Sequence, residues 1–261
     1  MSRAASPIST LRIGKFLAHA GVASRRHAEQ LVREGRVTVN GERLSDLARR
    51  VDPARDRVQV DGRPVRPERP RYLAFHKPEA VLSTRADPRG RPTVFDLVRA
   101  EPERLYPVGR LDYRSTGLLL LTNDGELAQR LTHPRFGCEK VYRVKVEGDP
   151  SEAALERLRR GVVLDRKRTR PCKIRRLGTG RHTWLEIALR EGRNQQIRRM
   201  FLYARHPVLK LQRIRIGPLE LGKLAPGALR ELTRREVLAL QQAAGAEAPP
   251  SGSNPRKPGL A

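Results

Sequence analysis

The segment GRLDYRSTGLLLLTNDG, residues 109–125, is the stretch that decides the fold. A glycine-flanked polar and charged run is followed at once by LLLLT, residues 118–122, and this apolar run predicts a fully buried strand. Buried strands form rigid bases, and functional side chains commonly lie on the loops that adjoin them. We therefore expect a site on the loop before this strand, with Arg110 and Asp112 as candidate residues.

Strands and helices are predicted to alternate around this segment. Strands are predicted at 72–77, 118–122, 140–146, 184–189 and 208–216, and helices at 125–132, 151–160, 194–204 and 234–243. The alternating polar faces of the strands favour a mixed or antiparallel sheet with helices packed on it. The sequence thus predicts an α+β domain over residues 72–243.

A smaller domain is predicted over residues 11–62. Apolar residues at helical spacing predict two short helices before residue 36, and Ser24 is suited to cap the second. Alternation around the turn signal Asn40-Gly41 predicts short strands.

Three other segments are predicted to lack a packed core. Residues 63–71 are rich in proline and arginine, which predicts an extended linker. Residues 1–10 and the basic segment 244–261 offer little that could be buried, so both are predicted to be disordered tails.

The charge of the chain indicates a polyanionic partner. Among 261 residues, 54 lysines and arginines outnumber 28 aspartates and glutamates, which gives a formal net charge of +26. This excess favours nucleic acid over the alternative of a merely solvated arginine surface. Cys138 and Cys172 lie far apart without a histidine pair, which argues against a zinc site or a disulfide framework. Neither an apolar run of about 18 residues nor a signal-peptide core occurs, so we expect a cytoplasmic protein without membrane contact.

The first domain carries basic side chains at the start of its second predicted helix. Arg25 and Arg26 lie where free backbone amides and the helix dipole already favour a phosphate. The run LRIGKFLAHAGVASRRHAEQLVREGRVTVNG resembles the S-four-like αL RNA-binding domain, and the resemblance extends over residues 11–60. It implies RNA binding, to which Lys15, Arg33 and Arg36 would add. The alternative is a basic helix pair that only packs on the second domain.

From the residues alone, Asp112 is either a functional carboxylate or a structural partner of Arg110 or Arg114. The segment 109–125 is similar to the catalytic motif of the pseudouridine synthase family that groups RsuA, RluB, RluE and RluF, and it is most similar to the RluB branch. The other matching motifs, in the family's order, are Lys77-Pro78, Cys138–Tyr142, Glu191–Met200 and Ile216–Leu219.

The resemblance implies an RNA pseudouridine synthase that breaks the glycosidic bond of a uridine, rotates the base and rejoins it through C5, without cofactor or metal. Asp112 would be the essential carboxylate, either as a nucleophile on the ribose or as a base that removes a sugar proton. Arg198 would hold this carboxylate, and Tyr142 would stack on the flipped base. The other residues expected to bind substrate are Arg110, Ile197, Lys77, Arg193 and Arg199.

The substrate implied by the resemblance is ribosomal RNA, with the large-subunit 23S RNA favoured and a monomeric enzyme expected. A synthase that acts on 16S rRNA or tRNA is an alternative, as is a non-catalytic RNA-binding factor in ribosome assembly. A nuclease or methyltransferase fits less well, because the sequence has neither a carboxylate cluster for two metals nor a glycine-rich nucleotide loop after a strand.

Overall fold

The computed structural model describes residues 10–98, 104–178 and 180–245. They divide into two compact units, one of residues 10–71 with 104–105 and one of residues 72–98, 106–178 and 180–245. The predicted tails lie outside the described residues, except at Thr10 and at residues 244–245. Ala244 is fully buried in the last helix, so ordered structure extends past the predicted start of the second tail.

Two helices and six short strands form the described part of the first unit. In chain order they are β1 (Leu11–Arg12), α1 (Ile13–His19), α2 (Arg25–Arg33), β2 (Val37–Val39), β3 (Glu42–Arg43), β4 (Arg50–Val51), β5 (Val58–Val60) and β6 (Arg63–Pro64). Strands in the order β3-β2-β5-β6 form an antiparallel sheet that shares its apolar core with both helices. The predicted cap of α2 is present, because the backbone N–H of His27 donates to the Ser24 hydroxyl at 3.2 Å.

The segment predicted as a linker begins inside the first unit. Strand β6 pairs with β5 at the edge of the sheet, a position where proline is tolerated. The backbone N–H of Val65 then donates to the Val58 carbonyl at 3.0 Å, and the Val65 side chain packs on the same core. The sequence prediction missed this strand because it consists of two exposed residues, an arginine and a proline, which give no apolar pattern.

Eleven strands and five helices form the described part of the second unit. In chain order they are β7 (Tyr72–Lys77), α3 (Val94–Leu97), β8 (Tyr106–Pro107), β9 (Thr116–Thr122), α4 (Gly125–Thr132), β10 (Lys140–Glu147), α5 (Glu152–Arg160), β11 (Val163–Leu164), β12 (Lys167–Arg168), β13 (Lys173–Gly178), β14 (His182–Leu189), α6 (Gln196–Tyr203), β15 (Val208–Ile216), β16 (Leu219–Glu220), β17 (Leu229–Glu231) and α7 (Arg234–Gly245). Nine strands form one mixed sheet in the order β13-β14-β10-β15-β9-β7-β17, with β16 beside β15 and β8 beside β9. The predicted α+β class is confirmed.

Strand β15 contributes to two apolar cores. The core around β10, β14, α5 and α6 includes Leu211, and the core around β7, β9, α4 and α7 includes Ile216. A short parallel pairing joins β15 to β9, and in it Gly117 lies opposite Arg213. Gly117 has a φ of 106°, and a Cβ at this position would lie 2.2 Å from the Arg213 carbonyl oxygen. Glycine is therefore required for the two strands to approach this closely.

Candidate active site

A cavity of about 300 Å³ opens beside β15 in the second unit. The loop before β9 forms one wall, and the segment between β14 and α6 forms another. Five of the eight residues predicted to act on substrate line it together: Arg110, Asp112, Tyr142, Arg193 and Ile197. Lys77, Arg198 and Arg199 lie outside the lining.

The loop that carries Asp112 is fixed at both ends. The Ser83 hydroxyl donates to the Leu111 carbonyl at 2.9 Å, and the Ser115 N–H donates to the Asp112 carbonyl at 2.9 Å. The Asp112 carboxylate is half-buried on the cavity wall. Within the part of the chain that the structure describes, it forms no hydrogen bond or ion pair, so the structural pairing with Arg110 or Arg114 is not observed.

Lys77 holds this loop from behind. Its side chain is fully buried, and Nζ donates to the carbonyls of Ser115 at 2.7 Å and of Pro78 at 2.9 Å. Burial lowers the pKa of Lys77 to about 8, against the opposing effect of the negative charge of Asp112. Lys77 therefore contacts the backbone of the Asp112 loop and not the cavity.

Arg198 connects three elements around the same loop. From α6, its guanidinium donates to the Arg114 carbonyl at 2.9 Å and to the Val208 carbonyl, at the start of β15, at 3.2 Å. Burial lowers the pKa of Arg198, and the charge of Asp112 acts in the opposite direction. Arg198 was expected to hold the Asp112 carboxylate. In the structure it binds the backbone of the loop that carries Asp112, and it places a positive charge near the carboxylate.

Tyr142 and Ile197 provide the apolar part of the cavity wall. Tyr142 lies on β10 with its side chain on the same face as Val144, as the alternation predicted, and packs partly against the core that contains Ile197. Ile197 is 4% exposed. An aromatic ring and a branched aliphatic side chain are thus available to contact the faces of a flat ring.

The three other predicted arginines differ in how their donors are used. Arg193 donates to the Lys167 carbonyl at 2.9 Å, in the β11–β12 hairpin. Arg199 binds both carboxylate oxygens of Asp165, in the turn of the same hairpin, at 2.6 and 2.7 Å, which raises its pKa. Arg110 is exposed at the cavity. Arg193 and Arg199 therefore hold the hairpin, whereas the Arg110 side chain is exposed at the cavity.

The polar residues of the cavity lining to which sequence reasoning gave no role include Ser115, Lys140 and Arg213. Ser115 and Lys140 belong to the matching motifs, but neither was assigned a role. Arg213 shares its strand parity with the buried Leu211, so a charged residue at a position expected to face the core was the available signal.

The basic residues of the first unit are placed unequally for RNA binding. Arg25 and Arg26 are exposed at the start of α2. Arg33 is exposed 4.0 Å from Glu29, and Lys15 lies partly exposed on α1. Arg36 is bound by both carboxylate oxygens of Asp61 at 2.6 and 2.8 Å. The guanidinium of Arg36 is therefore engaged in an ion pair within the unit.

Two absences hold within residues 10–98, 104–178 and 180–245. No cluster of three or more histidine, cysteine or acidic side chains is suited to hold a metal ion. No helix in these ranges combines the length and apolar character needed to cross a bilayer.

Comparisons with known proteins agree with this architecture. A model of the RNA pseudouridylate synthase family matches residues 71–203, and a model of the S4 domain matches residues 11–56. An uncharacterised RNA pseudouridine synthase of Aquifex aeolicus is 48% identical over 90% of this chain and 95% of its own length. Ribosomal large subunit pseudouridine synthase B of Bacillus subtilis is 43% identical over 88% and 95%. A solved pseudouridylate synthase covers 88% of this chain and 99% of its own, with a TM-score of 0.64 and 28% identity.

An S4 domain followed by an α+β unit with this cavity defines a class of enzymes that modify RNA. The chain belongs to the RNA pseudouridylate synthase family. It is an isomerase, as the sequence resemblance implied.

Proposed function

We propose that this enzyme converts a specific uridine of 23S ribosomal RNA to pseudouridine, with Asp112 as its catalytic carboxylate. The observation that supports the assignment of Asp112 is its carboxylate on the wall of the cavity shared with Tyr142 and Ile197, free of protein partners among the described residues. Structural aspartates elsewhere in the second unit have such partners: Asp165 binds Arg199, and Asp124 accepts from backbone N–H groups at the start of α4.

The cavity supports a flipped nucleotide as the reacting group. Enzymes that act on a base within folded RNA take it out of the stack and hold it in a pocket between apolar or aromatic side chains. Tyr142 and Ile197 provide such surfaces, and about 300 Å³ is at the small end of ligand sites. The exposed Arg110 at the same cavity is suited to contact the RNA backbone that remains outside.

The reaction is balanced without another reactant. The C1′–N1 bond breaks, the uracil turns, and a C1′–C5 bond forms, while C5 loses a proton and N1 gains one. Asp112 in its ionised form can attack C1′ or remove a ribose proton. Lys77 and Arg198 both interact electrostatically with this carboxylate from outside the cavity.

The first unit is proposed to provide affinity through backbone contacts. Arg25 and Arg26 at the start of α2 combine guanidinium donors with free helix amides, a combination suited to phosphate. The choice of large-subunit RNA rests on the relatives named ribosomal large subunit pseudouridine synthase B. We further propose that the enzyme acts as a monomer in the cytoplasm during ribosome assembly.

Asp112→Asn tests the proposal directly. Tritium release is measured from 23S, 16S and tRNA transcripts labelled at uracil C5, beside a binding titration at fixed salt. We expect release from 23S RNA with wild type, a rate about 100- to 10,000-fold lower with the variant, and affinity within about twofold. Glu220→Gln, an exposed change outside the cavity, is the matched control. Release by Asp112→Asn at the wild-type rate contradicts the catalytic assignment, and release from another RNA alone contradicts the 23S assignment.

A further inference from the structure

Several buried polar groups on the cavity wall are already bound by the protein. The Gln196 amide donates to Glu191 at 2.6 Å, and Lys140 Nζ donates to two backbone carbonyls at 3.1 and 3.2 Å. Two buried polar atoms are exceptions, namely Nη2 of Arg213 and the hydroxyl of Ser115, which have no hydrogen-bond partner among the described residues. Such atoms are rare in folded proteins and call for a specific explanation.

Arg213 is held firmly while Nη2 is left without an acceptor. The side chain is 2% exposed, and Nε donates to the Leu118 carbonyl at 2.8 Å. The close approach at Gly117 brings β9 and its carbonyl groups to this position. The protein thus fixes the side chain of Arg213, a residue of the cavity lining, and fixed donors of this kind need no rearrangement when an acceptor arrives.

The charge around Arg213 is not balanced by a described carboxylate. The Glu139 carboxylate binds Arg215 at 2.9 Å instead, and no ion pair to Arg213 occurs in the described ranges. Lys140, also on the cavity wall, has its pKa lowered mainly by burial and further by the charge of Arg213. A buried cation with an unused donor beside a second cation favours an oxygen acceptor that carries negative charge.

We propose that Arg213 binds the target uracil, donating from Nη2 to one of its two carbonyl oxygens, and stabilises the base when the glycosidic bond breaks. This inference rests on the proposed function. Breaking C1′–N1 leaves the bonding electron pair on uracil, where it is shared between N1, O2 and O4, until C5 uses an electron pair to form the new bond. A guanidinium that contacts O2 or O4 is therefore bound more strongly after cleavage than before it. The same charge develops whichever role Asp112 has.

Arg213 should therefore affect the chemical step more than RNA binding. Hydrogen bonds to charged groups correspond to about 10- to 100-fold in a rate or equilibrium constant. Affinity for RNA draws on many exposed basic groups, so the loss of one buried donor should change it by about twofold or less.

The test combines protein variants with altered RNA. Single-turnover rates are measured by nucleoside chromatography on an RNA fragment that carries uridine, 2-thiouridine or 4-thiouridine at the target position. Sulfur is a weaker acceptor than oxygen, so the substitution at the contacted position weakens the hydrogen bond. Arg213→Lys and Arg213→Gln are compared with Arg215→Lys, a change on the same strand outside this cavity, and thermal unfolding is followed for each variant.

We expect Arg213→Lys to lower the rate about 10- to 100-fold on uridine with affinity retained, and Arg215→Lys to lower it by less than about threefold. One of the two thio substitutions should slow wild type, and the same substitution should slow the Arg213 variants much less. If neither thio substitution slows wild type, or if folded variants are slowed by them as much as wild type, the proposal is overturned. The comparison of wild-type rates on uridine and on the two thiouridines tests the proposal even if the variants unfold. Absence of wild-type turnover on uridine would instead contradict the proposed function.

Discussion

Replacing Gly117 by alanine should destabilise the second unit by about 3 kcal/mol or more. A side chain at a φ of 106° costs about 1–2 kcal/mol in backbone strain. The new Cβ would also meet three backbone atoms of Arg213, namely its oxygen at 2.2 Å, its nitrogen at 2.7 Å and its carbonyl carbon at 2.9 Å. Backbone atoms cannot move aside as a flexible side chain can, so β9 and β15 must separate. Each ladder hydrogen bond lost in this way adds about 1 kcal/mol.

Urea unfolding followed by tryptophan fluorescence measures this loss in the second unit. The chain has one tryptophan, Trp184 on β14, so the signal reports on the sheet that contains the β9–β15 pairing. The midpoint should fall with little change in slope, as expected for lost stability without a change in the surface exposed.

Gly178→Ala is the matched control for this change. Gly178 ends β13 without a positive φ, and no atom of the described residues beyond its chain neighbours lies within 4 Å of an added Cβ, so stability should change by less than about 1 kcal/mol. A loss below about 1 kcal/mol for Gly117→Ala, or equal losses at both glycines, would refute the argument that β9 and β15 need glycine to pair.

Three further predictions concern the site and the RNA contacts. Tyr142→Ala should lower the single-turnover rate much more than RNA affinity, whereas Tyr142→Phe should retain most of the rate; equal losses in rate and binding would contradict stacking. Because burial lowers the pKa of Lys77 to about 8, the folded state binds fewer protons than the unfolded state above that pH, so stability should rise between about pH 8 and 10.5 in wild type relative to Lys77→Met. Parallel unfolding curves for the two proteins at each pH test this. Replacing Arg25 and Arg26 by glutamine should weaken RNA binding and reduce the salt slope of log Kd by about 1.5, and an unchanged slope would place the phosphate contacts elsewhere.

The sequence predicted the main elements where local pattern and burial agree. The runs at 72–77 and 208–216 are strands with the predicted bounds, and the four helices expected in the second unit all occur within two residues of their predicted limits. The capping pair of Thr233 and Glu236 forms at the start of α7, with the Thr233 hydroxyl accepting from the Glu236 N–H at 3.2 Å. The apolar faces of these helices and strands extend over several residues. Tertiary packing therefore stabilises the same secondary structure that the local sequence favours.

Strands without an apolar pattern were not predictable. Three of the six residues of strand β13 are basic. The strand lies at the edge of the sheet, where it is held by its pairing with β14. The β11–β12 hairpin is two residues long on each side. Neither has a run of alternating apolar residues from which a strand could be recognised.

The position of the candidate site was easier to predict than the contacts of its residues. The resemblance named Asp112, Tyr142 and Ile197, and these residues line one cavity in the structure. It did not predict that Lys77 and Arg198 act on the backbone of the Asp112 loop, because a motif records which residues occur and not which atoms they contact. Arg213 was missed because it is one of three basic residues on its strand, and the sequence does not show that it alone is fully buried.

The way in which Arg193 and Arg199 hold the β11–β12 hairpin affects how mutational scans of this enzyme should be interpreted. Both side chains use their donors on residues 164–168, so either substitution would release the hairpin as well as remove a guanidinium group. A fall in turnover at these positions would therefore resemble the loss of a substrate ligand. Asp165→Asn offers a way to tell the two apart, since it weakens the attachment from the hairpin side and leaves both arginines in place.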